Sequence, residues 1–439
     1  MPEYSRKEQR GWFFYDWANS AFYTTVVTLF LGPYLTALAR NAADAQGFVY
    51  PLGLKVAAQS VWPYLVSLSV FVQIFVLPLA GAIADYGHRK REMLGALAFT
   101  GAAATVAMYA LEGSNYLLGC LLFLIANSAF GASIVVYNSF LPEIAGPDER
   151  DSISSKGFAL GYVGGGVLLV ANILLYQKAS SLGLAESTAV RISLASAGLW
   201  WALFTLVPMA TLQNRRPQKQ LAHGVGYLEA AVKQLGQSFK EIGKLPQTLR
   251  FLIAYLVYND AIQTILTLAA QFGQEELKLP VEALTVAILI AQFVGIVGAM
   301  FFNWVASKMG NKNTVMVTLA IYCFVLIYAY AGVSTQGEFY FMSGAVGAVM
   351  GGSQALSRSI FSFMIPKGHE AEYYSIYEIS DKGTSWMGPL FFGLALQFTG
   401  SYRISILSLI IFFFVGLAVL ATVNVRKAAI EAGNEAPSH

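Results

Sequence analysis

Long apolar blocks separated by short polar breaks run the length of this chain. Trp62 to Ile83, Met93 to Leu111, Tyr116 to Leu141 and Ile404 to Val423 each approach the ~20 residues with which a helix crosses ~30 Å of hydrocarbon. The alternation predicts twelve spanning helices, starting near residues 11, 61, 92, 115, 156, 189, 251, 282, 314, 339, 376 and 402. An even count puts both termini on one side of the membrane. The first block is too long for a signal-peptide core, contains Asp16 and lacks a small-residue cleavage site, so it reads as a retained helix.

Composition agrees with a chain that has lipid as its solvent. Of 439 residues, 56% are hydrophobic and 12% charged, against roughly 45–50% and about 25% in soluble domains. The net charge of +3 decides little, but its distribution fixes an orientation. Of the 28 Lys and Arg, 20 fall in the N-terminus, the even-numbered loops and the C-terminal tail, 6 fall in the other loops, and Arg358 and Lys382 lie inside spans. Positively charged loops stay in the cytoplasm, so both termini are expected there. Cys120 and Cys323 both fall within spans, so neither reads as part of a disulfide framework.

The polar stretch 212–250 divides the chain into an N-terminal six-helix half (1–211) and a C-terminal one (251–425), followed by a tail (426–439). Within it Tyr227, Leu228, Ala231, Val232, Leu235, Phe239 and Ile242 share one helical face, with Lys233, Lys240 and Lys244 off it. A helix lying on the cytoplasmic membrane surface fits this pattern, and a solvated linker is the alternative. The halves echo each other. Gly81–Arg91 after span two is matched about 220 residues later by Ala306–Lys312 after span eight, and Gly131-Ala132-Ser133 with Pro142 by Gly351-Gly352-Ser353 with Pro366. Tyr15-Asp16-Trp17-Ala18 is echoed more loosely by Tyr258-Asn259-Asp260-Ala261. Parallel six-helix repeats are a feature of two-half alternating-access carriers.

Several of these segments also carry a resemblance. The loop Gly81-Ala82-Ile83-Ala84-Asp85-Tyr86-Gly87-His88-Arg89-Lys90-Arg91 resembles the signature loop of the major facilitator superfamily, with an Asp-to-Gly spacing one residue shorter than the usual pattern. Four further stretches resemble the vacuole-effluxer branch of that superfamily: Gly11–Phe22, Tyr137–Glu143, Gly157–Gly166 and Gly388-Pro389-Leu390. Where that branch often has a Glu-Phe-Phe-Gly-like run, this chain has Glu372-Tyr373-Tyr374-Ser375. The resemblance implies an all-α membrane protein of twelve helices in two halves. It also implies a carrier in the inner (cell) membrane of a bacterium, and in yeasts the branch is associated with amino-acid export from the vacuole. Spans one, four, seven and ten are then expected to line the cavity. Asp85 and Arg89 would act in gating, with Asp85 meeting the start of span eleven, where the positive end of a helix dipole favours a carboxylate.

An ionisable group at the centre of a spanning helix costs about 2.5–3.5 kcal/mol on insertion scales, so each needs a reason. Asp260 lies ten residues after Arg250, about 15 Å deep at a rise of 1.5 Å per residue. It reads either as a proton- or ammonium-binding carboxylate or as one fixed by a Lys or Arg. Asp16, nearer the interface, has the same alternatives, with a structural or gating pair favoured. Arg358 in span ten and Glu378, Asp381 and Lys382 at the start of span eleven form a candidate set of gating ion pairs. Glu378 and Lys382 also have the i,i+4 spacing of a plain helix-surface pair. Asn19, Asn127, Asn138, Gln263 and Gln354 describe a cavity for a polar solute as a set, while each alone reads as a helix-to-helix contact. The aromatic run Trp12, Phe13, Phe14, Tyr15 and Trp17 is expected to anchor at the interface, with a stacking wall as the alternative. The glycines at 161, 164, 165 and 166 and at 344, 347, 351 and 352 read as helix contacts.

The four histidines lie in loops or the tail and no H-E-x-x-H pattern occurs, so nothing predicts catalysis, a metal site or a cofactor. The expected partners are a small-molecule solute, membrane lipids and a coupling proton, and no nucleic acid. A channel or lipid translocator is the nearest rival.

Overall fold

The computed structural model describes residues 5–86, 89–138, 140–144, 150–215, 229, 240, 243–364, 377 and 386–434. It divides into two compact units, Met1–Gln234 and Leu235–His439, a division within the stretch 212–250. The surface helix expected in that stretch, and the start of span eleven near residue 376, lie almost wholly outside the described residues. Among those residues, nine helices are long and apolar enough to cross a membrane, and Val163–Gln177 and Met387–Thr399 are shorter apolar ones.

In the first unit, α1 (Arg6–Ala21) runs through a π-helical segment (Phe22–Phe30) into α2 (Leu31–Asn41), a single 36-residue span. It starts five residues before the position predicted from hydropathy, because Ser5 caps it by accepting from the Glu8 amide at 3.4 Å. In the π segment the Thr28 hydroxyl donates to the Tyr23 carbonyl five residues back, at 2.9 Å. Before the segment this span packs on α7 (Arg150–Gln177), where a Cβ on Gly164 would come within 2.7 Å of the Trp17 carbonyl oxygen. After it, Tyr34 donates to the Leu111 carbonyl at 2.6 Å. The π segment therefore separates two stretches that pack on different neighbours.

Between α2 and α3 (Val61–Tyr86) sits a small antiparallel hairpin, β1 (Phe48–Val49) and β2 (Val56–Ala57). Then come α4 (Lys90–Ala107), α5 (Tyr116–Asn138), the short α6 (Leu141–Ile144), α7 and α8 (Glu186–Thr211). Asn127 of α5 donates to Ser69 Oγ of α3 at 2.9 Å, which favours the packing reading for this amide.

The second unit comprises α9 (Pro246–Glu275), α10 (Val281–Met309), α11 (Asn311–Ala331) and α12 (Gln336–Ser362). These are followed by α13 (Met387–Thr399), α14 (Tyr402–Ser408), α15 (Ile410–Thr422) and α16 (Val425–Glu431). Proline at its first position starts α9, and Thr335 with Glu338 forms a capping box on α12. The α10 and α12 backbones touch, since a Cβ on Gly347 would collide with the Ala291 carbonyl oxygen.

The repeat also shows in a contact that the motifs do not reveal. Arg403, at the start of α14, donates to the Ala329, Tyr330 and Val333 carbonyls and pairs with Glu276 at 2.6 Å. The Ala329 and Tyr330 carbonyls end α11, where no intrahelical donor remains, and Val333 lies just past it. In the first unit Arg191 of α8 donates to the Tyr109 carbonyl just past α4 and pairs with Glu112. Each unit thus ties the end of its third long helix with an arginine from its sixth.

Candidate functional site

The two candidate carboxylates sit in matching places, each on the first helix of its own unit and each against the fifth. Asp260 is the fifteenth of the thirty residues of α9 and is fully buried, with no exposed surface. Its Oδ2 accepts from the Gly388 amide at 2.8 Å. Asp260 therefore caps the N-terminus of α13 from another helix, and among the described residues its Oδ1 has no partner. Gly388 makes the approach possible, since a Cβ there would collide with Thr264 Oγ1. Thr264 is itself committed to the Asp260 carbonyl at 2.7 Å. Neither alternative read from the sequence included such a cap.

Asp16 in the first unit is half-buried, and Tyr137 of α5 donates to its Oδ2 at 2.8 Å. The Tyr137 ring stacks on Trp12 at 4.3 Å and lies 5.0 Å from Tyr15, while Trp12 Nε1 donates to the Tyr137 carbonyl at 3.0 Å. Beside the same oxygen, a Cβ on Gly157 of α7 would come 2.6 Å from Asp16 Oδ2 and 3.3 Å from the Tyr137 hydroxyl. The aromatic run corrects the anchor expectation. Trp12 and Tyr15 are buried, and Trp17 stacks on Trp200 at 5.4 Å and accepts its indole N–H at the backbone carbonyl. These rings hold α1 against α5 and α8 by burying their apolar faces, and the Trp12 indole also has the polar partner that a buried ring of its kind needs.

Asn19 is buried, and Asn138, Gln263 and Gln354 are half-buried. Among the described residues Asn19 Nδ2 has no partner. Asp85 closes the last turns of α3, Arg89 is exposed just before α4, and Arg358 lies along α12. Glu378, Asp381 and Lys382 lie outside the described residues.

A second charged group was missed from the sequence. Glu8 of α1, 2% exposed, accepts from Arg215 through both oxygens at 3.1 and 2.8 Å and from the Gln213 amide at 3.1 Å. Arg215 also lies 3.6 Å from Glu143 of α6, which pairs with Lys90 of α4 at 2.7 Å. Charge-assisted bidentate pairing is among the stronger polar contacts, so this network ties the first residues after α8 to the starts of α1 and α4. Nothing local in the sequence points to this pairing, since Arg215 stands 207 residues after Glu8.

This helical fold is that of the major facilitator transporters. The structure matches the nucleoside transporter NupG with a TM-score of 0.67 at 14% identity, covering 95% of this chain and 98% of that one. It matches a D-xylose-proton symporter with a TM-score of 0.67 at 12% identity, covering 96% and 98%. Within that class the particular family is defined by sequence. Residues 4–433 match the family described as vacuole effluxer Atg22 like, and the chain belongs to it. An uncharacterized MFS-type transporter, YxiO of Bacillus subtilis, is 31% identical over 95% of both chains. Autophagy-related protein 22-1 of Penicillium rubens is 27% identical, covering 98% of this chain and 91% of its own. The chain is thus a member of a family of integral membrane transporters and not of an enzyme family.

Proposed function

We propose that this protein is a secondary carrier that moves a small polar solute, an amino acid in our reading, by alternating access, and that Asp260 carries the coupling proton. One observation supports this above the others: a carboxylate at the middle of a spanning helix has one oxygen held by a backbone amide and the other without a partner among the described residues. A buried carboxylate oxygen left unpaired is costly, and a proton or a cation is what relieves it. Asp16, Asn19, Asn138, Gln263, Gln354 and Arg358 are assigned to solute or proton contacts on the same reading. Asp85, Arg89, Glu378, Asp381 and Lys382 are assigned to the gate.

The test uses the full chain in liposomes with a mixture of labelled amino acids. Asp260→Asn mimics the protonated carboxyl, so the variant should exchange labelled for unlabelled solute but lose accumulation driven by a pH gradient. Loss of exchange as well, with binding weakened for amines and kept for analogues without the amine, would make Asp260 an ammonium site instead. Wild-type accumulation in a stable Asn variant would remove the residue from the mechanism. Counterflow of labelled solute separates a carrier from a channel, because only a carrier exchanges through an occluded site.

A further inference from the structure

One side of α1 changes from cationic to aromatic along its length. Arg6, Lys7 and Arg10 are exposed, and at ~3.6 residues per turn they share that side, with Trp17 in line two turns beyond Arg10. Glu8 turns the other way, where Arg215 holds both its oxygens. Among the described residues, Arg6, Lys7 and Arg10 have no acidic partner. Trp17 lies in the seam between α7 and α8. A Cβ on Gly164 of α7 would come 2.7 Å from its carbonyl oxygen, and Trp200 of α8 donates its indole N–H to that same oxygen at 3.1 Å. Trp17, Trp200 and Phe204 form one half-buried cluster with ring centroids 5.4, 5.7 and 4.6 Å apart. The seam is bordered by exposed apolar side chains, Val163 and Val167 on α7 and Leu203 and Leu206 on α8, as a lipid-facing surface is.

We infer that this face of the first unit binds an anionic phospholipid, its phosphate on Arg6, Lys7 and Arg10 and one acyl chain over the aromatic seam between α7 and α8. The seven residues from Arg10 to Trp17 rise about 10 Å, which sets the cations at the depth of the headgroups when the rings lie among the acyl chains. Charge selects the headgroup. A zwitterionic lipid brings its own ammonium toward three cations, whereas an anionic one keeps its full attraction to each of them. A free phosphate uses the cations and leaves the seam uncovered. The surface is continuous with the lipid-facing sides of α7 and α8, so a lipid reaches it by lateral diffusion. The inference needs only that the chain is an integral membrane transporter, and stands apart from the solute and the coupling proton.

The test uses the purified full chain in detergent, with phosphatidylglycerol, phosphatidylcholine and glycerol phosphate as probes and native mass spectrometry as the readout. Wild type should bind its first phosphatidylglycerol about tenfold more tightly than phosphatidylcholine. The triple variant Arg6→Gln, Lys7→Gln, Arg10→Gln should lose that preference. A control that neutralises three exposed cations of the second unit, Arg250→Gln, Lys308→Gln and Arg426→Gln, should keep it. Phosphatidylglycerol with brominated acyl chains, at one lipid per protein, should quench tryptophan fluorescence in wild type and less in Trp200→Phe. Equal affinity of wild type for the two lipids, an equal loss in both triple variants, or glycerol phosphate binding as tightly as the lipid would each overturn the inference. So would quenching in a folded Trp200→Phe as deep as in wild type. If Trp200→Phe does not fold, the mass-spectrometric comparison decides.

Discussion

At the scale of single residues, position in the chain and partner in the fold carry different information. That Asp260 sits near the bilayer centre follows from its distance to Arg250, because helix rise converts residue count into depth. Its cap on α13 does not follow, since Gly388 is 128 residues away and the amide involved looks like any other in a sequence. Asp16 is similar: its partner Tyr137 stands 121 residues on. Tyr137→Phe deletes that hydroxyl and keeps the ring against Trp12, so it should cost roughly 0.5–1.5 kcal/mol, the usual worth of one such bond. Thermal unfolding in detergent measures it, and a variant as stable as wild type would show that Asp16 finds another donor at no cost.

At the scale of elements, helix ends were less legible than helix centres. Hydropathy locates the apolar middle of each span, but the true ends depend on caps that come from elsewhere in the chain. Arg403 binds three carbonyls at the end of α11, and Arg403→Gln should destabilise the second unit by about 1–3 kcal/mol because those carbonyls are left without their charged donor. A melting temperature equal to wild type would mean that water replaces it fully. Gly347→Leu should be worse, because its backbone faces Ala291 across a gap too small for a side chain. Loss of a monodisperse peak on gel filtration is the expected outcome, and a well-folded Leu variant would show that α10 and α12 separate easily. The π segment of the first span was not legible at all, since Phe22–Phe30 reads by composition as ordinary apolar helix.

At the scale of the whole molecule, the loop charges make two predictions. A reporter active only in the cytoplasm should work when fused after Arg216 or at the C-terminus and be silent in the loop containing Lys178. The opposite pattern would invert the orientation. Asp85→Asn and Asp381→Asn should shift the protein between inward- and outward-open states, read by accessibility of a single introduced cysteine, with the affinity of the open state for solute nearly unchanged. An equal loss of affinity in a protein locked open would place these residues in the solute site instead of the gate.

The sequence by itself determined the class of solvent, the helical architecture and the two-unit repeat, because each depends on composition and on periods of a few to a few hundred residues that can be counted along the chain. It also singled out Asp16 and Asp260, since a charge in hydrocarbon is costly wherever its neighbours stand. Only the tertiary structure decided what those charges touch. It placed Tyr137 on Asp16 and the Gly388 amide of α13 on Asp260, turned Trp12 and Tyr15 inward, and joined Glu8 to Arg215. A hydrogen bond is fixed by position in space to within a few tenths of an ångström, and chain separation carries no such coordinate.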